Sequence, residues 1–277
     1  MDTVLRRGFV AELLGTFAVV YFSAGAVCVN LLTTTGSQPG LAPLHALQPG
    51  LIGVALAHGL VVAAALAVTV RLSGGYLNPA ITLMLWVFNR LDNKRTGLCL
   101  LAQLAGAVLA VTCLRFTFDD SVLKYARLGA PHLSLDAFKK IDTASVLAGT
   151  GIELILTFFL VFAIFGIGRE ANDPERAAWP AGLMLIAGTI LAGPLTGACA
   201  NPARWIATVL WEQLALEQTN PWADTFVYLA GPTVGALAAG VVVFRILLPE
   251  SAPTAAVKST AAAAPVKQQL SGSGKKK

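Results

Sequence analysis

The chain carries the same tripeptide twice, as Leu77-Asn78-Pro79-Ala80 and Ala200-Asn201-Pro202-Ala203, each time between a long apolar run and a short one. In both copies Asn stands where a helix N-cap belongs and Pro where the first helical residue belongs. An Asn side chain accepts from the first free N–H groups of a helix, and Pro at N1 gives up an N–H that has no helical partner. Each copy therefore predicts a helix start. The short apolar runs that follow, Ile81 to Phe88 and the residues through Leu210, make only a few turns. They fall short of the ~20 residues needed to cross a bilayer.

The surrounding sequence is that of a membrane protein. Of the 277 residues 56% are hydrophobic and only 13% charged, with a mean hydropathy of +0.69, outside the balance of soluble domains. Six runs predict full spans: Phe9 to Leu32, Leu51 to Val70, Leu98 to Phe116, Ser145 to Gly168, Trp179 to Leu191 and Thr225 to Leu248. The first follows Arg6 and Arg7 as a signal peptide would, but it is too long for an h-region and carries Glu12, so it reads as a retained helix. The net charge of +5 sits at chain ends and in loops without interleaved aromatics, which argues against nucleic acid as a partner. Cys28, Cys99, Cys113 and Cys199 form no CxxC pair, so neither a disulfide framework nor a metal site is expected. A polar segment of mixed charge fills 117–143. Beyond Pro249 the Ala-, Pro-, Ser- and Lys-rich sequence predicts a disordered tail over 249–277.

The expected architecture is all-α, six transmembrane helices plus two re-entrant half-helices in an inverted repeat over about 8–116 and 145–248, making one channel domain of residues 1–248. Glu12-Leu13-x-x-Thr16 in the first span matches Glu153-Leu154-x-x-Thr157 in the fourth, and Gln103-x-x-Gly106-Ala107 matches Pro232-x-x-Gly235-Ala236. Three spans per repeat turn the second half upside-down, so the two Asn-Pro-Ala loops enter from opposite faces. Lys and Arg cluster on one side, at Arg6, Arg7, Arg71, Arg90 to Arg95, Arg169, Arg176 and the tail, which predicts both termini in the cytoplasm.

Non-helical backbone survives at membrane depth only if buried or lining a water-filled cavity. Two half-helices meeting at the midplane would aim two positive dipole ends and the amides of Asn78 and Asn201 at the lumen. That arrangement repels cations, interrupts a proton wire and passes neutral solutes. Glu12 and Glu153 invite a second reading, a proton-coupled secondary transporter. Their symmetrical placement suits a structural task better, accepting from the N–H groups of the re-entrant loops. No nucleophile–base pair, metal cluster or phosphate loop suggests an enzyme.

The chain resembles the aquaporin, or major intrinsic protein, family over about residues 8–248. The resemblance rests on Gly74-Gly75-x-x-Asn78-Pro79-Ala80, Thr196-Gly197-x-x-x-Asn201-Pro202-Ala203-Arg204 and the two Glu-x-x-x-Thr motifs. It implies a six-helix bundle in a homotetramer embedded in lipid, without cofactor, each protomer with its own pore. It also implies a four-residue constriction, which falls at His58, Thr189, Ala198 and Arg204. Water-selective members usually carry Phe, His, Cys and Arg there. The smaller Thr189 and Ala198 imply a wider opening, for ammonia, urea or hydrogen peroxide besides water. Trp205 stands where glycerol channels have Asp, and Leu229 departs from the strict water pattern. Outside the resemblance, Arg204 has the alternative of snorkelling to the interface and His58 that of a core histidine. Cys199 either faces the lumen or packs away from it.

Overall fold

Asn78 and Asn201 both start helices. In the computed structural model, which describes residues 3–35, 49–168, 174–216 and 220–248, the elements are α1 (Thr3–Thr35), α2 (Gly50–Thr69), α3 (Pro79–Val87), α4 (Asn93–Thr117), α5 (Asp120–Ala126), α6 (Leu135–Phe138), α7 (Thr143–Gly168), α8 (Ala178–Thr196), α9 (Pro202–Ala215) and α10 (Thr225–Val241), the last running into a π-helical turn at Val242–Leu247. The described residues contain no strand. Six helices, α1, α2, α4, α7, α8 and α10, are long and apolar enough to cross a membrane. The expected disordered tail (249–277), Arg169 and most of the uncharged first loop lie outside the described residues.

Several helices run further than hydropathy alone predicts. Helix α4 begins at Asn93, inside the charged turn, because Asp92 caps it by accepting from the Arg95 N–H at 2.9 Å. Helix α8 continues through Pro194 to Thr196, and α9 reaches Ala215 rather than Leu210. Capping and packing set these ends, and neither is visible in a hydropathy window. The half-helices are short for spans: nine residues in α3 and fourteen in α9, or about 13 and 21 Å of rise.

The repeat is visible in the packing. Helix α1 lies along α4 and α7 along α10, while α2 and α8 meet across the two halves. The first two contacts are made alike. A Cβ on Gly106 would stand 2.2 Å from the Leu13 carbonyl oxygen, and one on Gly235 would stand 2.3 Å from that of Leu154. Only glycine allows backbones this close, and close approach is what packs helices where burial from water supplies little drive. Each half-helix then crosses into the other repeat, α3 packing on α10 and α9 on α4. The halves are thereby interlocked around the two Asn-Pro-Ala corners.

The polar segment 117–143 is more structured than its composition suggests. It folds into α5, a 3₁₀ turn at Arg127–Gly129 and α6. Leu123 and Leu128 are fully buried in a cluster with Val20 and Cys28 of α1 and Ala203 and Ala207 of α9. Sparse leucines at no regular period carry this burial, which is why the segment reads as a plain polar loop in sequence.

Candidate functional site

The two re-entrant loops expose backbone N–H groups that no helix satisfies, and each loop meets that need with one buried carboxylate. Glu12 Oε1 accepts from the Ser73 hydroxyl at 2.6 Å and the Tyr76 N–H at 2.9 Å. Its Oε2 accepts from the Leu77 N–H and from Gln103 Nε2, both at 2.7 Å. Glu153 Oε1 accepts from the Thr196 hydroxyl at 2.6 Å and the Cys199 N–H at 2.9 Å, and its Oε2 from the Ala200 N–H at 2.8 Å. Both carboxylates are fully buried and occupied by loop donors. Ser73 and Thr196, each five residues before its Asn, complete the matching sets. That shared offset was available in the sequence as a signal.

Held in this way, the loops bring Asn78 and Asn201 together. Asn78 Oδ1 caps α3 through the Ala80 N–H at 3.0 Å, and Asn201 Oδ1 caps α9 through those of Ala203 at 3.0 Å and Arg204 at 3.4 Å. Asn78 Nδ2 donates to the Ala200 carbonyl at 2.7 Å, and Asn201 Nδ2 to the Leu77 carbonyl at 2.9 Å. Each amide thus spends one hydrogen on the opposite loop. A primary amide has two. Beyond that bond, both Asn78 and Asn201 line a small cavity.

Two cavities flank this crossing. One, of about 30 Å³, is lined by Asn78 and Asn201 together with Val62, Tyr76, Ile81 and Leu160, and has room for one or two water molecules. The other, of about 270 Å³, opens beside Thr189, Arg204, Gly129, Pro131 and Asn30. His58 lines both and so stands at the neck between them. Its Nδ1 lies 3.2 Å from the Thr189 hydroxyl. Arg204 is buried, with Nη1 donating to the Ala198 carbonyl at 3.5 Å and Nη2 to that of Gly129 at 3.4 Å, while Nε has no partner. His58, Thr189 and Arg204 thus share the wall of the larger cavity, and Ala198 meets Arg204 through its carbonyl. Arg204 is turned inward rather than towards an interface.

Cys199 is fully buried and lines the small cavity beside Asn78 and Asn201; its thiol donates to the Asn201 carbonyl at 3.2 Å, in a cluster with Leu133, Trp205 and Val227. Two other residues singled out in the sequence lie away from both cavities. Trp205 is fully buried against Tyr228 and Trp222, and Leu229 packs on the same cluster. Among the described residues no group of three or more His, Cys, Asp or Glu is placed to hold a metal ion.

Sequence reasoning missed a second polar cluster, beside the larger cavity. Glu212 near the end of α9 is fully buried and receives Arg127 Nε on one oxygen and His132 Nε2, at 2.8 Å, on the other. His132 Nδ1 lies 2.9 Å from Asp224 Oδ2. These residues come from separate stretches of the chain, so no local pattern joins them.

Comparison with known proteins agrees with this architecture. The profile of the family described as major intrinsic protein matches residues 2–243. The aquaporin TIP4-4 of Zea mays is 35% identical over 247 residues, covering 87% of this chain and 86% of its own. The aquaporin AqpM of Methanothermobacter marburgensis is 30% identical over 243 residues, covering 85% and 95%. The X-ray structure of the aquaglyceroporin from Plasmodium falciparum shares the fold, with a TM-score of 0.68 at 22% identity over 86% of this chain and 95% of that one. The chain belongs to the major intrinsic protein, or aquaporin, family: it is a multi-pass membrane channel for water or small solutes and not an enzyme.

Proposed function

We propose that the chain conducts water together with small neutral solutes, namely ammonia, urea and hydrogen peroxide, and excludes ions and protons. The observation that carries this reading is the paired placement of Asn78 and Asn201 beside a cavity of one or two waters, with the N-termini of α3 and α9 behind them. A water accepting from both amides turns its own hydrogens outward, which interrupts the chain of hydrogen bonds a proton needs. The two positive helix ends disfavour a cation at the same point.

The choice among neutral solutes belongs to His58, Thr189, Ala198 and Arg204. Thr189 and Ala198 are small, and the polar atoms of His58, Thr189 and Arg204 can bond a solute with amide or amine groups. A strictly water-sized opening needs bulk that these side chains lack. The resemblance to the aquaporin family supports a homotetramer, and the basic residues at one end support cytoplasmic termini, in the plasma membrane or an inner membrane.

The rival reading, proton coupling through Glu12 and Glu153, has no support in their surroundings. Glu12 accepts four hydrogen bonds and Glu153 three, all from donors that hold the loops, so both carboxylates are engaged in a structural task. Stopped-flow light scattering of proteoliposomes under osmotic and urea gradients tests the proposal. Urea and ammonia fluxes equal to those of empty vesicles would reject the wide constriction, and accumulation driven by a pH gradient would reject a passive pore.

A further inference from the structure

The segment Arg127–Ser134 forms part of the wall of the larger cavity, and its placement is specified from both ends. Arg127, Leu128 and Gly129 take three successive left-handed conformations, φ 50°, 56° and 70°. Such a run is costly for residues with side chains and persists only where surrounding contacts over-determine it. Leu128 is fully buried, and a Cβ on Gly129 would stand 2.6 Å from the Ala24 carbonyl oxygen. The result aims the Gly129 carbonyl at Arg204 Nη2. Three residues on, His132 is clamped between Glu212 of α9 and Asp224 of the turn before α10, and Asp224 Oδ2 also accepts from the Leu133 N–H at 3.2 Å.

We infer that His132 is a positioning residue for the constriction: through the short stretch to Gly129 it fixes the carbonyl that holds the Arg204 guanidinium, and so tunes discrimination between water and larger neutral solutes. This rests on the reading of Arg204 as a constriction residue. The clamp needs an imidazolium, because both ring nitrogens face carboxylate oxygens and a neutral ring has a hydrogen on only one of them. The charged groups facing the ring are Glu212 from α9, Asp224 from the turn before α10 and Arg127 from its own segment. With the imidazolium in place, two cations meet two anions. Without it, the cluster keeps an unbalanced negative charge and one lone pair pointing at a carboxylate, and buried charge is tolerated only when paired. Burial of His132 pulls its pKa down, but the bonds to Asp224 and Glu212 outweigh this and raise it above the usual histidine value. The clamp therefore opens as pH rises through this raised pKa. The Gly129 carbonyl then relaxes and Arg204, whose two bonds are already long, loses a restraint.

The test uses the full chain in proteoliposomes, with equal pH on both faces, between about pH 5.5 and about pH 8.5. Stopped-flow light scattering gives water and urea permeability. The urea-to-water ratio of the wild type should rise roughly fivefold towards alkaline pH, the low end of coupling between distinct sites. Its midpoint should lie above the ordinary histidine value. His132→Ala should show the high ratio at every pH. Asp224→Asn keeps an acceptor oxygen but removes a charge, and should move the midpoint down by about half a pH unit. Arg204→Val separates two kinds of failure. If Val at 204 leaves the ratio unchanged, the constriction is not at Arg204 and the underlying reading falls. If it changes the ratio but the wild type is flat with pH, or His132→Ala follows the wild-type profile, the role of His132 is overturned. Should His132→Ala fail to fold, an unmoved midpoint in Asp224→Asn overturns it as well.

Discussion

Leu77 and Ala200 share a left-handed backbone conformation, with φ of 53° and 51°, each one residue before its Asn. Neither is glycine, and such a conformation costs an L-residue on the order of 1 kcal/mol or more. The turn is what swings the Leu77 carbonyl towards Asn201 and the Ala200 carbonyl towards Asn78. Each loop therefore spends backbone strain to present an acceptor to the other loop's amide. The carboxylates of Glu12 and Glu153 hold the strained residues from behind, through the N–H groups of Leu77 and Ala200. The corner is a single reciprocal unit rather than two independent caps.

Breaking that unit at one Asn should cost more than a cap. Asn201→Ala removes the bond to the Ala203 N–H, worth about 1 kcal/mol, and leaves the buried Leu77 carbonyl unpaired, worth a further 1–3 kcal/mol or so. Reduced folded yield and a lower unfolding temperature in detergent should follow for this variant and for Asn78→Ala. Asn201→Asp keeps the cap oxygen but replaces the donor with a charge, and should admit cation current across planar bilayers. A silent bilayer with folded Asn201→Asp would remove Asn201 from ion exclusion.

Glu153→Gln puts one amide nitrogen against donors that the carboxylate now satisfies. One backbone N–H, of Cys199 or Ala200, then loses its acceptor, at about 1–3 kcal/mol. Thermal unfolding should shift down while water flux per folded channel stays within about twofold, since the lumen-facing groups are untouched. Loss of flux from fully folded protein would instead mark Glu153 as part of the conduction path.

The sequence displays this corner because its parts are local: Asn before Pro, a hydroxyl five residues earlier, a carboxylate at the same point of each repeat. Spans were legible because apolar length is a one-dimensional property. Helix ends were less so, since the Asp92 cap and the run of α8 through Pro194 depend on individual bonds and neighbours. Least legible were Arg127, His132, Glu212 and Asp224. They are polar residues in or near loops, spaced irregularly, and only the folding of 117–143 back onto α1 and α9 makes them one cluster. The buried Glu212 differs in no local feature from an exposed acid at a helix end.

Arg204→Val and His58→Ala test the proposed constriction by removing two of its four side chains. Arg204→Val should raise the urea-to-water ratio roughly tenfold, a change of about 1.4 kcal/mol in relative barrier, and let protons leak measurably. His58→Ala, which also frees the Thr189 hydroxyl, should act in the same direction with less leakage, because it removes no fixed charge. Uptake of urea and decay of an imposed pH gradient in proteoliposomes would check both, and unchanged values would place the constriction elsewhere.

Stability should also depend on pH through His132. Its pKa in the folded chain is raised, so the contribution is fully present below the unfolded value near 6.5 and is lost as pH rises through the folded value. Unfolding temperature should therefore fall as pH rises above the ordinary histidine value. His132→Gln should flatten that fall while lowering stability at acid pH, where the clamp is intact. Identical slopes in the two proteins would mean that other groups set the dependence.

The glycines offer a sharper contrast, because their substitutions are the same chemistry in opposite surroundings. On Gly106, which lies where α4 crosses α1, an added methyl would stand 2.2 Å from the Leu13 carbonyl oxygen, a backbone atom that cannot rotate away. Helices α1 and α4 must separate by an ångström or more, and such overpacking costs about 1–3 kcal/mol. Gly235→Ala meets the equivalent carbonyl of Leu154 and should cost about the same. Gly97, one turn into the same α4, has no atom within 4 Å of an added Cβ. Alanine there removes only the entropic cost of a helical glycine and should stabilise by roughly 0.5–1 kcal/mol. Thermal unfolding in detergent of Gly106→Ala, Gly235→Ala and Gly97→Ala should therefore give two losses and one gain. If Gly106→Ala and Gly97→Ala shifted alike, helix propensity and not backbone approach would explain these glycines, and the matched packing of α1 on α4 and α7 on α10 would lose its physical basis.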